Sequence, residues 1–140
     1  MKLAYVDSSV WITRFEGLKE YRPIIDAKLA ELAQDGWSFV VSEAVALEVL
    51  IKPYKNGDDT VLQTYRNVFA QCGGVLPSYP EVFSEALDIS RLENLKSMDA
   101  VHVALALHHQ CQCLISADKH FKDLKILPAV WIELPLIKSY

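Results

Sequence analysis

Four acidic residues stand where carboxylates can act together: Asp7, Glu48, Asp99 and Asp118. Asp7 follows the apolar run Leu3-Ala4-Tyr5-Val6, and Asp118 follows Cys113-Leu114-Ile115-Ser116-Ala117. Glu48 lies inside Ala46-Leu47-Glu48-Val49-Leu50, while Asp99 opens the run Ala100-Val101-His102-Val103-Ala104. Converging without compensation, these groups would repel one another and weaken the fold; a cation among them relieves that repulsion. Hard oxygen donors select Mg²⁺ or Mn²⁺, ions that keep several waters and leave positions for phosphate oxygens. Hydrolysis of a phosphodiester is the chemistry such a set serves.

Within this reading Asp7 and Asp99 are the direct metal ligands, and Glu48 and Asp118 bind a second ion or position the attacking water. Ser8 and Ser116, beside strand ends, orient water, ligand or phosphate. His102, three residues after Asp99, reaches phosphate or a ligand carboxylate across one helical turn. Lys119, with His120, Lys122 and Lys125 close behind, offers a local landing site for RNA. Each residue also has a plain structural use. Asp7 and Asp118 suit turns or N-caps, and Asp99 complements a helix dipole. Glu48 suits the solvent side of a helix, His102 a hydrogen-bonded packing position, and the lysines a solvated turn.

These residues need a scaffold that brings strand ends and helix starts to one rim. Short apolar runs predict strands over residues 2–6, 37–41, 75–76, 113–115 and 130–132. Helical spacing is expected from Trp11, Ile12 and Phe15 up to Gly17, over 21–35, and from an N-cap at Ser42 until Pro53. Further helices are expected over 58–71, from a Ser78/Glu81 capping box towards Leu95, and over 98–109 with Ser97 as cap. Strands separated by one or two helices argue for a mostly parallel sheet covered on both faces. In such sheets functional groups collect beyond the carboxyl ends of the strands.

The chain has 140 residues, 51% of them hydrophobic and 23% charged, which fits one compact domain over residues 1–140. No apolar stretch approaches the roughly 20 residues that span a bilayer, and the first residues reach an acid before any export-signal core develops. A cytoplasmic chain with reduced thiols at Cys72, Cys111 and Cys113 is expected. His108-His109-Gln110-Cys111-Gln112-Cys113 matches no common zinc spacing. A formal net charge of −4 works against holding nucleic acid by bulk electrostatics alone, so RNA chemistry here must recruit cations.

Tyr5-Val6-Asp7-Ser8-Ser9-Val10, Ala46-Leu47-Glu48-Val49-Leu50, Met98-Asp99-Ala100-Val101-His102-Val103-Ala104 and Leu114-Ile115-Ser116-Ala117-Asp118-Lys119-His120-Phe121 together resemble the PIN-domain nucleases, in particular the VapC-type toxins of type II toxin-antitoxin systems. The blocks span nearly the whole chain in the family's order, each with its acid at the family's acidic position. The resemblance implies an α/β/α sandwich around a parallel sheet of four or five strands. It also implies Mg²⁺- or Mn²⁺-dependent endoribonuclease activity, frequent homodimers, and neutralisation by a co-encoded antitoxin. Ser116-Ala117 departs from the Thr or Asn common near the last acid, keeping a hydroxyl but no amide. Residues 52–74 match nothing diagnostic.

An aspartyl phosphatase would place a second Asp where Ser9 stands, and a nucleotide-binding domain would carry a glycine-rich loop after a strand, which none of the five glycines forms. The remaining alternative is a PIN-like binding module whose acids engage a basic partner without turnover.

Overall fold

The computed structural model describes residues 2–137. In chain order the elements are β1 (Lys2–Val6), α1 (Ser8–Glu16), α2 (Arg22–Gln34), β2 (Trp37–Ser42), α3 (Glu43–Asn56), α4 (Asp59–Gln71), β3 (Val75–Leu76), α5 (Val82–Glu93), α6 (Ser97–His108), β4 (Cys113–Ser116), a 3-10 turn (Lys119–Phe121) and β5 (Ala129–Trp131). The strands form one sheet in the order β3-β2-β1-β4-β5, and every pairing is parallel.

Consecutive residues of the two middle strands, Ala4, Tyr5 and Val6 on β1 and Leu114, Ile115 and Ser116 on β4, are all fully buried. Successive strand residues face opposite sides, so helices cover both faces and the fold is the expected three-layer α/β/α sandwich. Among the described residues no helix is long and apolar enough to cross a membrane.

The strand order reverses between β1 and β4: the chain leaves β1 towards β2 on one side and returns through β4 on the other. A crevice opens beyond the carboxyl ends of the strands at such a reversal. Val6 pairs with Ile115, and the N–H of Asp7 donates to the Ile115 carbonyl at 3.1 Å, which carries the pairing one residue past β1 and sets Asp7 beside Ser116.

Three expected boundaries are corrected. α3 does not stop at Pro53 but runs on to Asn56 with a buried proline inside it. Gly57, left-handed at φ 65°, closes the helix, and the Pro53 carbonyl accepts the Asp58 N–H at 2.9 Å. The Ser78/Glu81 capping box does not form, because Pro80 pushes Tyr79 out of helical geometry and α5 begins only at Val82. Ser97 is the first residue of α6 rather than its cap; Lys96 holds the cap position without a side-chain hydrogen bond.

Candidate metal centre

Asp7 is the N-cap of α1, its Oδ1 accepting the Ser9 N–H at 3.1 Å and the Ser9 hydroxyl at 2.6 Å. The Ser116 hydroxyl donates to the other oxygen, Oδ2, at 2.6 Å. Asp118 likewise caps the 3-10 turn, accepting the His120 N–H at 2.9 Å, and its own N–H donates to Ser116 Oγ at 2.9 Å. Ser116, fully buried, thus ties the ends of β1 and β4 together. The capping roles foreseen for Asp7 and Asp118 exist, and the same geometry fixes both carboxyl groups at the rim.

Glu48 and Asp99 arrive on helices. Ser42 caps α3 by accepting the Val45 N–H at 3.3 Å, and Glu48 follows in the second turn. Its Oε1 accepts the Ser8 hydroxyl at 3.0 Å and is also hydrogen-bonded by His102 Nε2. Asp99 stands in the first turn of α6, about 20% exposed, where its charge complements the free N–H groups. His120 Nδ1 bridges the two remaining carboxylates, 3.2 Å from Asp118 Oδ1 and 3.6 Å from Asp99 Oδ2.

His102 is buried, with Nδ1 2.6 Å from the Tyr5 hydroxyl, which is itself 2.6 Å from Ser42 Oγ. A carboxylate only accepts, so Nε2 carries the hydrogen that meets Glu48. The hydrogen bonds thus join Ser42, Tyr5, His102 and Glu48 in one continuous line.

The electrostatics separate the four acids. Burial pushes the Asp7 carboxyl above the usual carboxylate range, against the pull of the Ser116 and Ser9 hydrogen bonds. Asp99 is raised by burial and then by the Asp118 charge, with His120 opposing. Burial would raise Glu48 too, but hydrogen bonding and charge from His102 and the Ser8 hydrogen bond outweigh it, and Glu48 lies below its ordinary value. Tyr5 is pushed far up by burial and keeps its proton.

The donor atoms of Asp99, Asp118 and His120 all lie within 4.8 Å of one another, a spacing and donor chemistry that fit one divalent cation. Asp7 is linked to the Asp118 backbone through Ser116, and Glu48 is tied to Ser8 and His102. Lys119 is exposed in the 3-10 turn and makes no side-chain hydrogen bond or ion pair among the described residues. Sequence reasoning singled out Ser8 but not Ser9, and it placed His120 only in a basic cluster. The i+2 spacing from Asp118 to His120, ahead of buried Phe121, was the available signal for a tight turn. Tyr5 and Ser42 read as core and cap, with nothing in their spacing to connect them to His102.

A family model described as PIN domain matches residues 4–127. No curated protein matches the chain. Among solved structures, a toxin-antitoxin complex from Klebsiella pneumoniae superposes with TM-score 0.65 at 19% identity, covering 93% of this chain and 98% of that one. VapBC2 from Rickettsia felis, bound to a promoter DNA fragment, gives TM-score 0.67 at 12% identity, covering 94% and 99%. FitAcB from Neisseria gonorrhoeae gives 0.69 at 12% identity, covering 90% and 95%. At these identities the likeness is one of fold.

Proposed function

The chain belongs to the PIN domain family, a family of nucleases, and from that premise we propose that it is a metal-dependent endoribonuclease, the toxin of a toxin-antitoxin pair. The observation that carries the reading is the acidic rim itself: Asp7, Asp99 and Asp118 at the strand reversal, with Glu48 alongside on α3. Asp99 and Asp118 hold the cation, Mg²⁺ or Mn²⁺, with Asp7 and Glu48 completing its acidic surroundings. When bound, such an ion neutralises charge building on the phosphate and favours ionisation of the attacking water.

The protein's own groups divide the remaining work. Ser9 and Ser116 keep Asp7 fixed and hydrogen-bonded, which holds it ready despite burial. Ser8 and His102 occupy one oxygen of Glu48, so the other oxygen accepts a hydrogen from the attacking water. The single turn from Asp118 carries Lys119 outward, where its charge meets the RNA backbone.

The same reading assigns partners and place. A co-encoded antitoxin is the expected protein partner, by analogy with the similar Klebsiella pneumoniae structure, which is itself a toxin-antitoxin complex. Exposed Leu47, Ile51 and Tyr54 on α3 and Phe83 and Leu87 on α5 supply apolar surface for a homodimer. The whole chain acts as one cytoplasmic PIN unit.

The test is cleavage of a mixed RNA pool and of matched single-stranded DNA with Mn²⁺ or Mg²⁺, with EDTA added and then reversed by excess metal. Metal-dependent cutting of RNA over DNA is expected. Tight RNA or partner binding without any cutting would instead mark a binding module.

A further inference from the structure

His120 does more than neutralise its neighbours. Resting on the metal-dependent reading above, we propose that His120 is the third protein donor of the cation site, a nitrogen set between Asp99 and Asp118 that tilts the rim from Mg²⁺ towards first-row transition ions, Mn²⁺ among them.

The distances carry the assignment. An octahedral ion with bonds of about 2.2 Å places neighbouring donors roughly 3.1 Å apart and opposite donors about 4.4 Å apart. His120 Nδ1 stands 3.2 Å from Asp118 Oδ1 and 3.6 Å from Asp99 Oδ2, close to the edges of such a polyhedron. All three donor atoms lie within 4.8 Å, close to the span across it. Only small movements separate this arrangement from coordination.

The local sequence builds this placement. Asp118 captures the His120 N–H at 2.9 Å and Phe121, next in the chain, is buried, so the imidazole is turned back over the carboxylate two residues before it. A cleft of about 340 Å³ lined by Asn94, Leu95, Lys96, Asp99 and His120 opens at two of the three donors and gives an ion and its waters access. An imidazole changes selectivity because nitrogen is a softer donor than oxygen; Mg²⁺ demands hard oxygen donors, while affinity at nitrogen rises from Mn²⁺ through the later transition ions.

The opposite role is a protonated His120 acting as a built-in counter-ion that occupies the cation's place, and calorimetry separates the two. Mn²⁺ and Mg²⁺ are titrated separately into the metal-free full chain and into His120→Ala and Asp99→Asn. A ligand His120 requires His120→Ala to weaken Mn²⁺ by at least about tenfold, since even outer partners of a metal are worth 10–100-fold, while Mg²⁺ changes much less. Electron spin echo of the Mn²⁺ complex should show a directly bonded ¹⁴N in the natural chain and none in His120→Ala, with circular dichroism confirming that the variant folds. Unchanged preference, equal loss for both ions, or tighter binding in His120→Ala would overturn the proposal while leaving the metal-dependent reading in place. Absence of binding by either ion to the natural chain would overturn both.

Discussion

His102 donates from Nε2 to Oε1 of Glu48, the same oxygen that accepts the Ser8 hydroxyl at 3.0 Å. Two donors on one oxygen leave Oε2 without a hydrogen bond among the described residues. On its other side the ring meets Tyr5, and Tyr5 meets Ser42. The line of hydrogen bonds therefore starts at the N-cap of α3, crosses β1 and α6, and ends on α3 again at Glu48. It fixes the angle at which the helix presents its carboxylate.

His102→Leu should raise the Glu48 pKa, because burial then acts with only Ser8 to oppose it. Carboxyl-carbon NMR titration of Glu48 reads this directly. In the natural chain the depressed pKa adds stability above the ordinary Glu value, near ~4.3, that is lost as pH falls through the lower folded value. The variant should lose this contribution. An unmoved Glu48 titration would show that Ser8 alone sets it.

Tyr5→Phe removes the hydroxyl shared by Ser42 and His102 in a fully buried position. Leaving such partners unsatisfied typically costs about 1–3 kcal/mol. Urea denaturation should give that loss with an unchanged slope. A neutral result would mean that water replaces the hydroxyl.

Metal-free stability should respond to Asp7 and Asp99 in the opposite sense to Glu48. Both hold their protons more tightly in the fold than in the unfolded chain, so stability drains away as pH rises from the ordinary Asp value near ~3.9 through their folded values. Asp99→Asn, measured in EDTA across this range, should flatten the profile and raise the melting temperature at neutral pH by a few degrees. It should also lose the stabilisation that added Mn²⁺ gives the natural chain. A variant profile parallel to the natural one would contradict the raised pKa assigned to Asp99.

Ser116→Ala cuts the tie between Asp7 and the Asp118 backbone. A cost of about 1–3 kcal/mol is expected from the buried groups left without their partner. Metal affinity should fall roughly 10–100-fold, as for other residues that orient ligands. Calorimetry checks the second effect independently of activity.

Three of the four acids were legible because each marks a change of element, and the fourth because it breaks an apolar run. Asp7 and Asp118 end apolar strand runs, Asp99 opens a helix, and Glu48 interrupts an apolar stretch behind the Ser42 cap. Parallel topology followed from strands alternating with helices. His120 was hidden because Lys119 and Lys122 make it read as part of a charged turn, and only the approach of the first turn of α6 to that turn gives it a role. The Tyr5-Ser42-His102 line was hidden for the opposite reason: its members sit in or beside apolar runs and look like packing. The continuation of α3 beyond Pro53 depends on the closure at Gly57, which local propensity alone does not weigh against a proline.

The most direct test of the central claim is the rate of metal-dependent RNA cleavage by the natural chain beside Asp99→Asn and Asp118→Asn, all prepared identically and supplied with the same Mn²⁺. Cutting by the natural chain and a loss of at least about a hundredfold in both variants is the expected result, since removing charge from a metal-holding carboxylate should cost several kcal/mol of transition-state stabilisation. Equal cutting by all three would place the activity outside the acidic rim and contradict the assignment.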